Sequence, residues 1–111
     1  MATYIISTLN DPSAVGGTFA EGINDSGQVV GYYVDTGGHK HGFLYNGVTY
    51  TTLNYFFHQL NTTYTGIDTV ARDINDAGVI VGYTDVGINL GTTMPPSNIG
   101  GFTYSSGVLS L

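Results

Sequence analysis

Six side chains in two stretches of this chain are, by residue type, the best suited to hold a ligand. They are His39, His41, Tyr55, Phe57, His58 and Tyr64. A tyrosine ring with Asn, Asp and His side chains nearby can hold a saccharide by stacking and hydrogen bonding. An apolar run in a loop, such as residues 55–57, must otherwise be buried by a neighbour. We therefore interpret these aromatic residues first as packing or subunit contacts, and second as a surface for a saccharide.

The two histidines of residues 39–41 also have a spacing that suits a metal ion. Imidazoles two residues apart on a strand point the same way and could share a ligand. A third protein ligand is missing, because His58 is distant in sequence. We interpret His39 and His41 as polar residues of a loop that leads into a strand.

Residues 73–78 resemble part of a calcium-binding loop, with oxygen ligands at alternating positions. Ala77 removes one of these ligands, and no glutamate follows at the required distance. Hairpin geometry alone explains Asn, Asp and Gly in this stretch. We expect a structural turn here, and no metal ion or cofactor anywhere in the chain.

The sequence lacks the common catalytic patterns. No serine lies in a G-x-S-x-G turn, and no Ser, His and Asp form a set that stands apart from the rest of the chain. The carboxylates of Asp73 and Asp76 fall in a turn, where a general acid would lack the burial that raises its pKa. Glycine pairs at 16–17 and 37–38 precede strands, so they do not form a phosphate-binding loop. We expect that the protein is not an enzyme.

Composition restricts the partners of the chain. Its 111 residues include two basic and eight acidic ones, for a net charge of −6. Phosphate backbones and anionic membranes would be repelled, so we expect neither nucleic acid nor a membrane as partner. Charged residues are only 9% of the chain, and no residue is cysteine. Such an uncharged polar surface suits β-sheets and occurs often in secreted proteins.

The chain repeats itself with a constant offset of 51 residues. Residues 18–32 return as residues 69–83 at this offset without a gap, and the glycine-phenylalanine pair at 42–43 returns at 101–102, 59 residues later, because the connector before it is longer. A fixed period of this size indicates a supersecondary unit that buries its apolar face only against another copy. Within each unit, Asn, Asp and Gly form the expected hairpin turns. These turn residues are Asn24, Asp25, Gly27, Asn75, Asp76 and Gly78.

The alternation of strand-forming and turn-forming residues predicts an all-β protein. The expected strands are residues 4–9, 18–23, 28–34, 41–45, 48–53, 68–74, 79–84, 101–104 and 108–111. Asn46-Gly47 predicts a two-residue hairpin turn. The domain division is a strand and connector at 3–17, a first unit at 18–53, a linker at 54–66 and a second unit at 67–111.

Four antiparallel strands with short hairpins and one long connection are typical of a β-propeller blade. Residues 18–23 and 68–74 would be the inner strands, where Ala20 and Gly22 allow close approach of another backbone. Two blades cannot close a ring, so we expect a homo-oligomer, with a trimer of six blades favoured. Residues 4–9 resemble the last strand of a preceding blade and would close the ring by strand exchange.

The repeated blocks resemble the HAF family of probable extracellular repeats of bacteria. Residues 20–32 carry the pattern A-x-x-I-N-D-x-G-x-V-V-G-Y, followed by H-G-F-L-Y at 41–45. The second block departs from this pattern, because Gly100 stands where the histidine should be. The resemblance implies a repeat-built extracellular β protein and no catalytic residues.

These observations favour a non-catalytic extracellular module that is structural and self-assembling. One alternative is a lectin-like protein that binds carbohydrate between blades, through residues 54–64 and 35–41. Another is an enzyme with its active site in the central channel. A third is a piece excised or engineered from a larger repeat protein. We recognise no signal peptide in the chain, so any export signal of the secreted parent protein has been lost or was never present.

Overall fold

The repeat folds into two four-stranded antiparallel sheets. The computed structural model describes residues 7–54, 57–59, 62–64, 67–86 and 100–110. The strands of the first sheet, in spatial order, are β1 (Thr18–Ile23), β2 (Val29–Val34), β3 (Lys40–Tyr45) and β4 (Tyr50–Leu53). Those of the second are β7 (Ile67–Ile74), β8 (Ile80–Val86), β9 (Gly101–Ser105) and β10 (Val108–Ser110). The described residues contain no helix, which confirms the all-β prediction.

Two parts of the sequence prediction differ from this arrangement. The expected linker at 54–66 contains a small antiparallel pair, β5 (Phe57–Gln59) and β6 (Thr62–Tyr64). The expected strand at 4–9 is wrong for its described part, residues 7–9, which pair with no strand. Residues 1–6 lie outside the described residues. The chain turns at Asp11, whose carboxylate accepts a 2.8 Å hydrogen bond from the Ser13 amide, and residues 15–17 then form backbone hydrogen bonds with Val34 at the end of β2.

The two predicted Asn-Asp turns form and have the same construction. In the first, the Asn24 side chain accepts hydrogen bonds from the Ser26 and Gln28 amides, at 3.1 and 2.9 Å. In the second, Asn75 accepts one from the Val79 amide at 2.9 Å. Each turn ends in a glycine with a left-handed backbone, φ 78° at Gly27 and 83° at Gly78. Hairpin geometry therefore accounts for these residues.

The hairpin predicted at Asn46-Gly47 forms, with its two-residue turn one position later, at Gly47-Val48. β3 and β4 pair from Tyr45 and Tyr50, and the Asn46 amide donates a 3.3 Å hydrogen bond to the Thr49 carbonyl oxygen. The Asn46 side chain accepts hydrogen bonds from the amides of both Val48 and Thr49, and these bonds stabilise the turn.

Each sheet has a β-bulge at the same place in the repeat. The register of β1 shifts between Ala20 and Gly22, and that of β7 shifts between Ala71 and Asp73. The bulge residues, Glu21 and Arg72, are therefore equivalent. A bulge bends and twists its strand, so both units have the same local distortion.

The core lies between the two sheets, and the face that the first sheet contributes to it is not the equivalent of the face that the second sheet contributes. We call the side of each sheet that bears Phe43 or Phe102 its front face and the opposite side its back face. The buried cluster combines Val30 and Leu53, from the back face of the first sheet, with front-face residues of the second. The front-face residues are Ala71, Ile74, Ile80 and Phe102. β7 packs across β1, β2 and β3, so the two units stack front to back.

Candidate functional site

The predicted ligand residue His41 lies in a polar cluster on the front face of the first sheet. Its Nε2 is 2.6 Å from Oδ2 of Asp35, and its Nδ1 is 2.6 Å from Oδ1 of Asn54. The ring stacks on Tyr33, with centroids 5.0 Å apart. Because both ring nitrogens are occupied, the imidazole is fixed in orientation and is not placed to take a proton from a nucleophile.

The neighbouring His39 makes a separate contact with the second sheet. Its Nδ1 is 3.3 Å from Oδ1 of Asp68, which also accepts a 3.1 Å hydrogen bond from the Lys40 amide. His39 and His41 therefore bind different carboxylates and do not share a ligand. No three His, Cys, Asp or Glu side chains among the described residues form a group that could hold a metal ion.

Asp35 organises the loop that carries both histidines. Partial burial raises the pKa of its carboxyl group, but hydrogen bonds from His41 and from the His39 and Gly37 amides outweigh burial and lower the pKa below its usual value. The Gly37 and His39 amides donate to Oδ1 at 2.8 and 3.0 Å. The ionised carboxylate is thus part of the native loop structure.

The remaining predicted ligand residues belong to the segment of the chain that connects β4 to β7. Tyr55 lies outside the described residues. The backbones of Phe57 and Tyr64 pair directly between β5 and β6, and His58 pairs with Thr63. Among the residues whose side chains the structure describes, Asn54 reaches the His41 cluster, and it belongs to the range 54–64 that was predicted for the lectin-like alternative.

A second site, the seam between the two repeats, joins residues to their own equivalents 51 positions later. The Asn24 side-chain amide donates a 3.1 Å hydrogen bond to the Asn75 carbonyl oxygen. The Asp25 backbone amide donates a 2.8 Å hydrogen bond to Oδ1 of Asp76. All four were predicted as turn residues, but the hydrogen bonds between the two turns were not predicted, although the constant offset was the available signal.

The seam continues into the two bulges. Nη1 of Arg72 is 3.9 Å from Oε1 of Glu21, its equivalent. A side chain at Gly22 would come within 3.0 Å of Cα of its own equivalent, Asp73. The prediction that Gly22 allows close approach of another backbone is therefore confirmed.

Two open cavities flank the seam at the outer faces of the stack. One lies on the second sheet and is lined by Asp73, Ile74, Asn75, Val79 and Val81. The other lies on the first sheet and is lined by Leu9, Ala20, Glu21, Gly22, Ile23 and Val29. Most residues of both linings are apolar and each lining includes one acidic residue, so the cavities suit an apolar side chain better than a small polar substrate.

No helix among the described residues has the length and apolar character needed to cross a membrane. No curated protein and no solved structure matches this chain. The resemblance to HAF repeats therefore stays a prediction. A family model described as "Protein of unknown function (DUF3466)" matches residues 2–107, almost the whole length. The chain belongs to this family.

Proposed function

We propose that this chain is a non-catalytic, extracellular repeat module whose two sheets are blades of propeller type. Further copies of the chain complete the ring, and a trimer of six blades is the simplest arrangement that we favour. The observation that carries the proposal is the seam, where Asn24 and Asp25 bind their own equivalents.

The seam supports rotational stacking for a geometric reason. A rotation displaces a residue in proportion to its distance from the axis, so residues that contact their own equivalents lie close to that axis. These contacts involve β1, β7 and the turns that follow them, which are the inner elements of a propeller. The opposite ends of the sheets, β4 and β10, would lie on the outside.

A structural role is also favoured by the chemistry of the sites. At the His41 cluster, both imidazole nitrogens already contact Asp35 and Asn54. At the seam, the Asp76 carboxylate accepts a backbone hydrogen bond and remains exposed, so it lacks the environment of a general acid. An enzyme active site in a central channel is therefore the less favoured alternative.

One observation favours a lectin-like second candidate. The loop of residues 35–41 and Asn54 do meet, at the His41 cluster, as a saccharide site between blades would require. Binding to a glycan array by the unmodified chain, lost in His41→Ala, would support this candidate. Equal binding by both proteins would place any saccharide elsewhere, and no binding would favour the structural module.

The mass of the chain in solution tests the proposed function. Sedimentation velocity over a wide concentration range should give a closed oligomer, with the trimer as the expected species. A mass of 11.7 kDa at every concentration would overturn the proposal of a ring completed by copies of this chain.

A further inference from the structure

We infer that the back face of the second sheet binds the front face of the first sheet in another copy of this chain. This contact repeats, between copies, the front-to-back contact that already joins the two sheets within one copy. The inference rests on the proposed function and specifies the surface that the assembly uses. Such an interface is heterologous, so it joins copies head to tail.

Exposed apolar residues on the two outer faces are the equivalents of a buried pair. Within the chain, Val30 and Ile74 belong to the core cluster and are 0% and 5% exposed. Their equivalents, Val81 and Ile23, are 45% and 66% exposed. Stacking the second sheet on the first sheet of another copy would bury Val81 against Ile23 as Val30 is buried with Ile74.

The segment before β1 covers part of the front face of the first sheet and leaves a cavity open for this contact. Leu53 of the first sheet packs in the core cluster with Ala71, Ile74 and Ile80. Leu9 lines a cavity with the equivalents of those three residues. The three equivalents are Ala20, Ile23 and Val29. Leu9 thus takes, over the first sheet, the place that Leu53 takes over the second. The cavity beside it is left for the equivalent of Val30, which is Val81.

Hydrogen bonding at the seam can continue in the same direction. Within the chain, Asn24 donates its side-chain amide to Asn75, and Asp25 donates its backbone amide to Asp76. Asn75 and Asp76 carry the same donors and line or adjoin the cavity on the second sheet. They would donate to the carbonyl oxygen of Asn24 and the carboxylate of Asp25 of the partner subunit.

The bulge charges also match a second copy. Arg72 lies next to Glu21 within the chain. The next unit in a head-to-tail stack would place Glu21 of the partner subunit on the other side of Arg72. Charges therefore alternate along the seam at every interface, which favours another copy of this chain over a partner with a basic surface.

Substitution at the exposed face tests the surface. Val81→Asp should weaken self-association by about 100-fold or more, because it buries an unpaired carboxylate at the interface. Val48→Asp is the matched control, since Val48 is 87% exposed in the 46–49 loop, and it should associate like the unmodified chain. Circular dichroism and thermal melting should show that both variants fold. Unchanged association of folded Val81→Asp would overturn the inference while leaving the proposed assembly intact.

Disulfide trapping tests the head-to-tail direction. The chain has no cysteine, and Asp25 and Asp76 are both exposed, so Asp25→Cys and Asp76→Cys can each carry a single thiol. A mixture of the two variants should form a covalent dimer on oxidation, whereas neither variant alone should do so. The double variant within one chain is the positive control, because its two thiols can form an intramolecular disulfide. A dimer of Asp76→Cys alone would indicate a two-fold contact and overturn the inference, and a monomeric unmodified chain would overturn both proposals.

Discussion

The side-chain amide of Asn24 donates a hydrogen bond to the carbonyl oxygen of Asn75, the residue at the same position of the second repeat. Asn24 is buried, and its side-chain oxygen Oδ1 also accepts hydrogen bonds from two backbone amides of its own turn. One side chain therefore shapes a hairpin and joins that hairpin to its counterpart. The relation between the two sheets depends directly on a residue of the repeated pattern.

Replacing Asn24 should destabilise the protein more than replacing an asparagine that serves a single turn. Asn24→Ala leaves two turn amides and the Asn75 carbonyl without this partner, and we expect a loss of about 2 to 4 kcal/mol in the free energy of unfolding. Asn46→Ala is the control, because Asn46 accepts two amides within its own exposed loop. Urea denaturation measures both. An equal loss in the two variants would mean that the bond between the turns contributes nothing.

The glycine at the centre of β2 should not accept a methyl group. A Cβ at Gly31 would collide with the Phe19 carbonyl group and come within 3.0 Å of Cα of Ala20, and backbone atoms cannot rotate away. Gly31→Ala should cost about 3 kcal/mol or more, or prevent folding. Gly100→Ala is the control, since a Cβ there meets no atom within 4 Å. Wild-type melting of Gly31→Ala would show that β1 can move away.

Phe102 should contribute more to stability than a half-exposed aromatic residue on the edge strand β1. It is buried between the sheets, and Phe102→Ala should cost about 3 to 5 kcal/mol. Phe19→Ala removes an equal volume from a side chain that is 44% exposed and stacks only on Tyr32 among the described rings, so its cost should be below about 2 kcal/mol. Thermal unfolding monitored by circular dichroism gives the comparison. A larger loss in Phe19→Ala would contradict the location of the core.

Asp35 should make the free energy of unfolding depend on pH in the acidic range. Because its pKa is lower in the folded chain than the ordinary value of 3.8, its ionised form contributes stability above that value, and this contribution is lost as the pH falls through the lower folded pKa. Asp35→Asn should therefore be less stable than the unmodified chain at about pH 7, and the difference should shrink below about pH 4.

Urea unfolding of both proteins across this pH range measures the effect. Asp25→Asn provides the control for removing one negative charge from an exposed turn. A difference between Asp35→Asn and the unmodified chain that stays constant down to about pH 2.5 would exclude the carboxylate of Asp35 as its source.

The strands were predictable because turn residues mark their ends. The Asn24 and Asn75 turns each close with a left-handed glycine, and the strands on either side begin within a residue of the expected positions. The turn after β3 lies one residue later than predicted, because the Asn46 side chain accepts the amides of both Val48 and Thr49. The strand expected at 4–9 was chosen by likeness to residues 51–54. Leu9 does lie over the first sheet as Leu53 lies over the second, but residues 7–9 pair with no strand.

The candidate sites were less predictable because their partners lie far apart in the chain. Nothing local relates His41 to Asn54 or His39 to Asp68. Which face of the first sheet packs on the second could not be predicted either, since Val29 and Val30 point to opposite sides of β2 and both are apolar. Only packing of the second sheet reveals that the Val30 side is covered.

Unlike surfaces on the two sides of each sheet have a consequence for how such chains lengthen. A unit of 51 residues inserted between the present two would meet, on each side, the surface that already fits it. No existing side chain would need to change, because the new Asn-Asp turn would accept from one neighbour and donate to the other. Duplication of whole units is therefore compatible with folding at every step, whereas insertion of part of a unit would leave a face without its complement.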